Sequence, residues 1–191
     1  MLMTVIQTIE EESAANRERL ERLLAGVARG EQDALEALYQ SARAAVYALA
    51  LSVLKNTHDA QDVTQDTFVR VYESARFYRP QGTPMAWILT IARNLARMKL
   101  REGAKAAELD EAQWDAIPAE SSVSAEERHL LQDALGGLAD QERQIVLLHA
   151  VSGLKHREIA QLMELPLATV LSKYHRALKK LRSLMEGGDA L

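Results

Sequence analysis

Apolar residues recur along this chain at intervals of three and four, the spacing of helices that bury one face. Residues 32–55 are the clearest case, with Leu35, Leu38, Tyr39, Ala42, Val46, Leu49 and Val53 on one stripe. The first twenty-odd residues carry a helical pattern with many charges and read as a loosely attached helix, broken at Gly30. Asn56 is the expected stop, and Thr57 or Asp59 the expected cap of a helix reaching about residue 75. Residues 77–83 hold Pro80 and Gly82 and predict a loop. Thr83 followed by Pro84 starts a helix well, a hydroxyl acceptor and then a residue with no amide donor. That helix passes Trp87, Ile91 and Leu95 to about residue 101.

After Gly103 the periodicity weakens, and Pro118 with Ser121, Ser122 and Ser124 marks a linker. Ser124 and Glu127 have the spacing of a capping box. Helices are expected beyond it at about 125–135, 141–151, 156–163 and 167–185, punctuated by Gly136 and Gly137, Ser152 and Gly153, and Leu165 and Pro166. The expected fold class is all-α, two small helical domains joined by a flexible linker, the C-terminal one a helix-turn-helix. The division is an N-terminal helical extension (1–22), a first domain (23–102), an acidic linker (103–125), a second domain (126–186) and a tail (187–191).

Composition narrows the function. The chain has 191 residues, 48% of them hydrophobic, enough for one ordinary core or two small ones. It has no cysteine, which excludes disulfides, thiolate metal sites and cysteine nucleophiles and fits the reducing cytoplasm, the expected location. No uninterrupted apolar run reaches about 18 residues, so membrane insertion is not expected. Residues 1–12 lack the basic start and apolar stretch of a secretory signal. His58, His129, His149, His156 and His175 are scattered, and no glycine-rich phosphate loop occurs, so neither an enzyme nor a cofactor is expected. The net charge of −4 argues at first against nucleic acid. However, residues 23–102 hold ten basic against eight acidic side chains, residues 126–186 nine against eight, and the connector five acids against Lys105 alone. Two near-neutral units on an acidic connector leave nucleic-acid binding open.

The stretch 155–181 reads as a short helix, a four-residue turn and a longer helix from Pro166 or Leu167. Ile159, Ala160, Leu162, Leu165, Val170, Tyr174 and Leu178 are placed to bury the contact face. Arg157 precedes the turn, and Thr169, Ser172, Lys173, His175, Arg176, Lys179, Lys180 and Arg182 give the second helix a basic, hydroxyl-bearing surface. Such a surface reaches phosphates and base edges when its helix enters the major groove. Patterning alone leaves open a helical hairpin whose basic face is merely solvated.

The run from Gln141 to Leu148, the triplet Glu158, Ile159, Ala160 and the run from Leu165 to Arg182 resemble the C-terminal domain of extracytoplasmic-function sigma factors. The resemblance implies a domain that reads the minus-thirty-five promoter element and touches the polymerase flap. LuxR-type regulators share a similar helix-turn-helix, so this segment leaves two families open. The stretch 59–72 separates them. Val63, Thr67, Phe68, Val71 and Ala75 are placed inward, while Asp59, Asp62, Gln65, Asp66 and Arg70 form a mostly acidic outer face. It resembles the helix with which sigma factors bind the clamp of the large subunit of the RNA polymerase core. The plain alternative is a solubilising face, since acidic helix starts are favourable anyway.

Residues 87–96 resemble the family's minus-ten recognition helix. Arg93, Asn94, Arg97, Lys99 and Arg101 suit a phosphate backbone. Phe77, Tyr78 and Trp87 bring aromatic rings to the preceding loop, where unpaired bases could stack, and the resemblance assigns base capture to residues 76–85. Core packing for Trp87 and loop packing for Phe77 and Tyr78 are the competing readings. Lys155, Glu164, Leu171 and Met98 depart from the family's usual residues, and Glu164 stands where a positive φ often favours glycine.

The expected function is a sigma factor whose two weak DNA sites become selective when tethered. Its connector has a coil dimension of roughly 25 Å and stretches to about 80 Å. The implied partners are core polymerase, promoter DNA and an anti-sigma factor. The competing class is a stand-alone helix-turn-helix regulator of duplex DNA.

Overall fold

The computed structural model describes residues 2–80, 83–106 and 135–186. Its helices are α1 (Leu2–Ala28), α2 (Gln32–Leu54), α3 (Thr57–Ser74), α4 (Pro84–Ala106), α5 (Asp140–Ala150), α6 (His156–Met163) and α7 (Leu167–Glu186), with a 3-10 turn at Ala75–Phe77. No strand occurs among the described residues. The helix expected at 125–135 lies outside them except for Leu135, as do the tail and the connector from residue 107 onward.

Three local expectations change. The stop after α2 is Lys55, in the left-handed region at φ 55°, and Asn56 is the cap of α3, its Oδ1 accepting from Asp59 N at 3.0 Å. Helix α4 continues through Gly103 to Ala106, so the connector cannot begin at 103. A lone glycine costs a helix about 1 kcal/mol and does not by itself end one. Third, α1 is no loose appendage cut at residue 22. It is continuous to Ala28, and Leu20, Leu24 and Val27, at helical spacing, are at most 2% exposed.

Close approach of α1 to α2 explains Gly26. A Cβ built there would stand 2.6 Å from both Ala34 Cβ and Glu31 Oε2. Gly26→Val is therefore expected to lower stability by about 2 kcal/mol, read as a lower urea midpoint at unchanged slope.

Helix α2 is the axis of the molecule, packed by α1, α3, α4 and α5. By length and composition it is apolar enough to cross a membrane, at mean hydropathy 1.2, but half of that window is buried among its neighbours. A central core helix meets the same criteria. The largest core cluster joins Leu24, Leu38, Val46, Phe68, Ile88 and Leu89 to Ile145, Leu148, Ile159 and Val170. The largest cluster thus draws on both the N- and C-terminal units, beside a smaller cluster confined to each.

Candidate functional site

Helix α3 buries Val63, Thr67, Phe68 and Val71, with Ala75 just beyond it. The Thr64 and Thr67 hydroxyls donate to the Ala60 and Val63 carbonyls at 2.7 and 2.6 Å, so their burial leaves no unmet donor. Asp62, Gln65, Asp66 and Arg70 lie exposed and Asp59 half-buried. Part of this acidic face is already engaged. Lys99 of α4 reaches Asp62 at 2.7 Å and Asp59 at 3.1 Å. Its pKa is raised first by the Asp62 hydrogen bond, with Asp59 adding to it. Lys99, expected on the DNA side, instead clasps α4 to α3. Arg70 pairs with Glu73 at 3.0 Å.

Sequence reading missed the apolar part of this face. Val69 and Tyr72 are 58% and 52% exposed, off the buried stripe. Beside them Leu35, Tyr39, Phe68 and Val69, with Gln32, Glu36 and Gln65, line an open cleft of about 410 Å³. The usable signal was position: Val69 and Tyr72 share the helix face of Asp62, Gln65 and Asp66.

The aromatic set divides. Tyr78 and Trp87 meet edge to face at 5.1 Å and pack against the main core, whereas Phe77 is 64% exposed beneath the Arg76 guanidinium at 4.6 Å. Burial pushes the Tyr78 hydroxyl pKa up, and the nearby Glu21 of α1 adds to this. The N-terminal helix thus fills the space behind these rings, and Phe77 is the aromatic left presented to solvent. Along α4, with Thr83 Oγ1 capping its start by accepting from Ala86 N at 3.3 Å, Asn94, Arg97 and Arg101 lie on one exposed face and Arg93 is half-buried.

The helix-turn-helix forms at α6 and α7 with a three-residue turn, 164–166. Glu164 adopts φ 56°, ψ 41°; its N–H and that of Leu165 reach back to the Gln161 and Ala160 carbonyls at 3.2 and 3.0 Å. The left-handed turn is therefore kept without glycine, at a conformational cost on the order of 1 kcal/mol. Lys155 offers no cap oxygen, but Glu158 accepts from its N–H at 2.9 Å. Ile159, Ala160, Leu162 and Val170 are buried, Leu165 and Tyr174 half-buried. Leu178 is 39% exposed, against expectation, and Ala177 is buried in its place, because the inward stripe of α7 runs 170, 174, 177, 181.

The basic set on α7 also divides. Ser172, His175 and Lys179, with Leu171 and Arg182, face outward, while Thr169 and Lys173 are half-buried and Arg157 is exposed on α6. Lys180 turns to Glu142 of α5 at 2.7 Å, and Arg176 approaches the same carboxylate at 4.0 Å. Glu142 is 4% exposed, and the Lys180 hydrogen bond leads in lowering its pKa. Lys180 is thus held as the counter-ion of a buried acid. Arg143, beside it, donates to the Leu135, Gly136 and Leu138 carbonyls at 2.7, 3.2 and 2.8 Å. It closes the segment before α5 onto that helix.

Between α5, α6 and α7, His149 and His156 stack at 4.6 Å against the edge of Tyr174. His149 Nδ1 donates to the Leu154 carbonyl at 2.9 Å, which fixes its tautomer. The His156 pKa is lowered, first by burial and then by His149 and His175. A lowered folded pKa means that the unfolded chain binds more protons, so this contribution is present above about pH 6.5 and is lost as pH falls below it. Urea titrations from pH 7.5 to 5.5 should show the C-terminal helices weakening toward acid, less steeply in His156→Gln.

Among the described residues, two ion-pair sets join the N- and C-terminal units. Lys55 Nζ meets Asp140 Oδ2 at 2.9 Å. Glu164 Oε2 lies 3.6 Å from Arg93 and 3.4 Å from Arg97, and Arg93 also donates to the Met163 carbonyl at 3.2 Å. The charge of Arg93 leads in lowering the Glu164 pKa, followed by hydrogen bonding to Arg93 and Arg97. Among the described residues no group of three or more His, Asp or Glu could hold a metal ion.

Comparison with known proteins agrees with this anatomy. Residues 38–106 match the family described as Sigma-70 region 2, and residues 128–181 match Sigma-70, region 4. The chain is 31% identical over 176 residues to the ECF RNA polymerase sigma factor SigK of Mycobacterium ulcerans, covering 87% of this chain and 94% of that one. Among solved structures it resembles CnrH in complex with the cytosolic domain of CnrY, at TM-score 0.61 and 25% identity, covering 88% of this chain and 98% of that one. The same fold occurs in the sigma factor RpoE bound to the anti-sigma factor NepR from Bartonella quintana, at TM-score 0.66 and 21% identity, covering 79% and 96%.

Proposed function

Because this chain belongs to the extracytoplasmic-function RNA polymerase sigma factors, we propose that its surfaces divide promoter recognition among α3, α4 and α7. The protein binds core polymerase and directs promoter-specific initiation; its family is regulatory and non-catalytic, and the polymerase performs the chemistry. The exposed face of α3 and the adjoining apolar cleft dock on the clamp, combining acidic steering with an apolar centre. Asn94, Arg97 and Arg101, with Arg93 beside them, follow the minus-ten strand, and Phe77 stacks on an unpaired base. The outer face of α7, with Ser172, His175 and Lys179, reads the minus-thirty-five duplex from the major groove.

One observation carries this reading: a helix with an exposed acidic and apolar face, an arginine-bearing helix and a helix-turn-helix lie in that order on one chain. A stand-alone regulator of duplex DNA has no use for the first two. We place the protein in the cytoplasm with the polymerase, and we propose that an anti-sigma factor regulates it, as NepR partners RpoE. Run-off transcription with core polymerase tests the function. Specific initiation should require this chain, and equal initiation without it rejects the reading.

A further inference from the structure

Among the described residues, two non-glycine residues have positive φ, Lys55 at 55° and Glu164 at 56°. Both end helices, where glycine would relieve the strain. Both also carry the ion pairs that join the two units, Lys55 to Asp140 and Glu164 to Arg93 and Arg97. Strained positions persist when surrounding contacts hold them, and their side chains are the place to look for function.

The Glu164 contact has a chemical meaning of its own. One carboxylate oxygen faces two guanidinium groups on consecutive turns of α4, the geometry in which a backbone phosphate oxygen would be held. Arg93 is further anchored by the Met163 carbonyl, so the recognition turn of one DNA-reading unit sits on the arginines of the other. A phosphate and Glu164 cannot occupy this place together.

We propose that Glu164 is an internal phosphate mimic that latches the free factor shut, occupying the Arg93–Arg97 site until DNA or polymerase draws the units apart. Lys55 and Asp140 form the second point of the latch, where the end of α2 meets the start of α5. Closure engages the arginine pair, leaving Arg93 15% and Arg97 52% exposed, and holds α7 in an orientation set by α4 rather than by a promoter. Binding of DNA to the arginines and closure are then competing equilibria. Each weakens the other by the same factor.

This inference rests on the assignment of Arg93 and Arg97 to DNA, so the experiment must separate the two. The chain contains no cysteine, which allows dyes to be attached through Gln61→Cys on α3 and Gln161→Cys on α6. Energy transfer then reports closure in the full-length protein, and a mixed-sequence 20-nucleotide single strand reports DNA binding by anisotropy. Glu164→Gln should lower the energy transfer and tighten DNA binding about fivefold, the lower range of allosteric coupling. Glu164→Gly, which also relieves the turn, should do the same. In an Arg93→Gln, Arg97→Gln background, Glu164→Gln should change neither readout, the signature of coupled partners. If Glu164→Gln tightens DNA binding equally in that background, or leaves energy transfer unchanged, the latch is overturned and the arginine assignment stands. If the arginine variants bind DNA and support initiation like the wild type, the assignment itself fails.

Discussion

Val69→Asp combined with Tyr72→Ala is expected to weaken binding to core polymerase about a hundredfold, with the fold intact. Both side chains are more than half exposed in the absence of any partner, so removing them opens no cavity. A charge at the centre of an apolar docking patch must be desolvated on binding, and aromatic anchors supply most of the energy of such interfaces. Loss of one aromatic anchor plus one buried charge on the order of 3 kcal/mol corresponds to that factor. Asp66→Lys, at the polar rim of the same face, should act more weakly and mainly on association rate, with a salt dependence the apolar pair does not show. Competition for labelled core polymerase gives the affinity, and circular dichroism checks that helicity is unchanged. Wild-type affinity in the double variant would remove α3 from the docking surface.

Arg143→Met should destabilise the C-terminal helices by about 3 kcal/mol, roughly 1 kcal/mol for each of the three main-chain carbonyls left without its donor. The side chain is 6% exposed and satisfies three main-chain carbonyls ahead of α5. Methionine fills similar volume but leaves those carbonyls without their donor, which is the costly half of losing a hydrogen bond. Leu135 and Leu138, held by this fork, close a small core with Val146 and Ala177. The expected result is loss of hydrogen-exchange protection in α5 and α7 with a smaller change in the centre of α2. Arg143→Lys should recover only part of it, because an ammonium cannot span three carbonyls as a planar guanidinium does. Unchanged exchange in α7 would mean that the segment before α5 is held by its leucines alone.

These two positions show different limits of reading a sequence. Spacing alone places Val63, Thr67, Phe68 and Val71 inward, and they are buried. Val69 and Tyr72 lie among acidic residues of the outer face, and an exposed apolar residue announces itself only when the buried stripe is known. Arg143 lies within the run from Gln141 to Leu148, yet its role depends on carbonyls five to eight residues earlier. Carbonyl directions are backbone geometry, which residue type does not specify.

Helical periodicity determined the element order, the all-α class and the place of the helix-turn-helix, because each depends on residues three or four apart. The order of the motifs likewise points to a sigma factor without any tertiary structure. Tertiary structure decided which charges were available. Sequence position puts Lys99 and Lys180 among the DNA-facing cations, yet both are tied to acids of neighbouring helices, across separations of 37 and 38 residues. Arg93 meets the Met163 carbonyl at the end of α6 across 70 residues, and Arg97 the Glu164 carboxylate of the turn across 67. A charge in a sequence has a sign but no partner, since its Coulomb energy depends on distance and on the surrounding dielectric, and only the packed chain sets either.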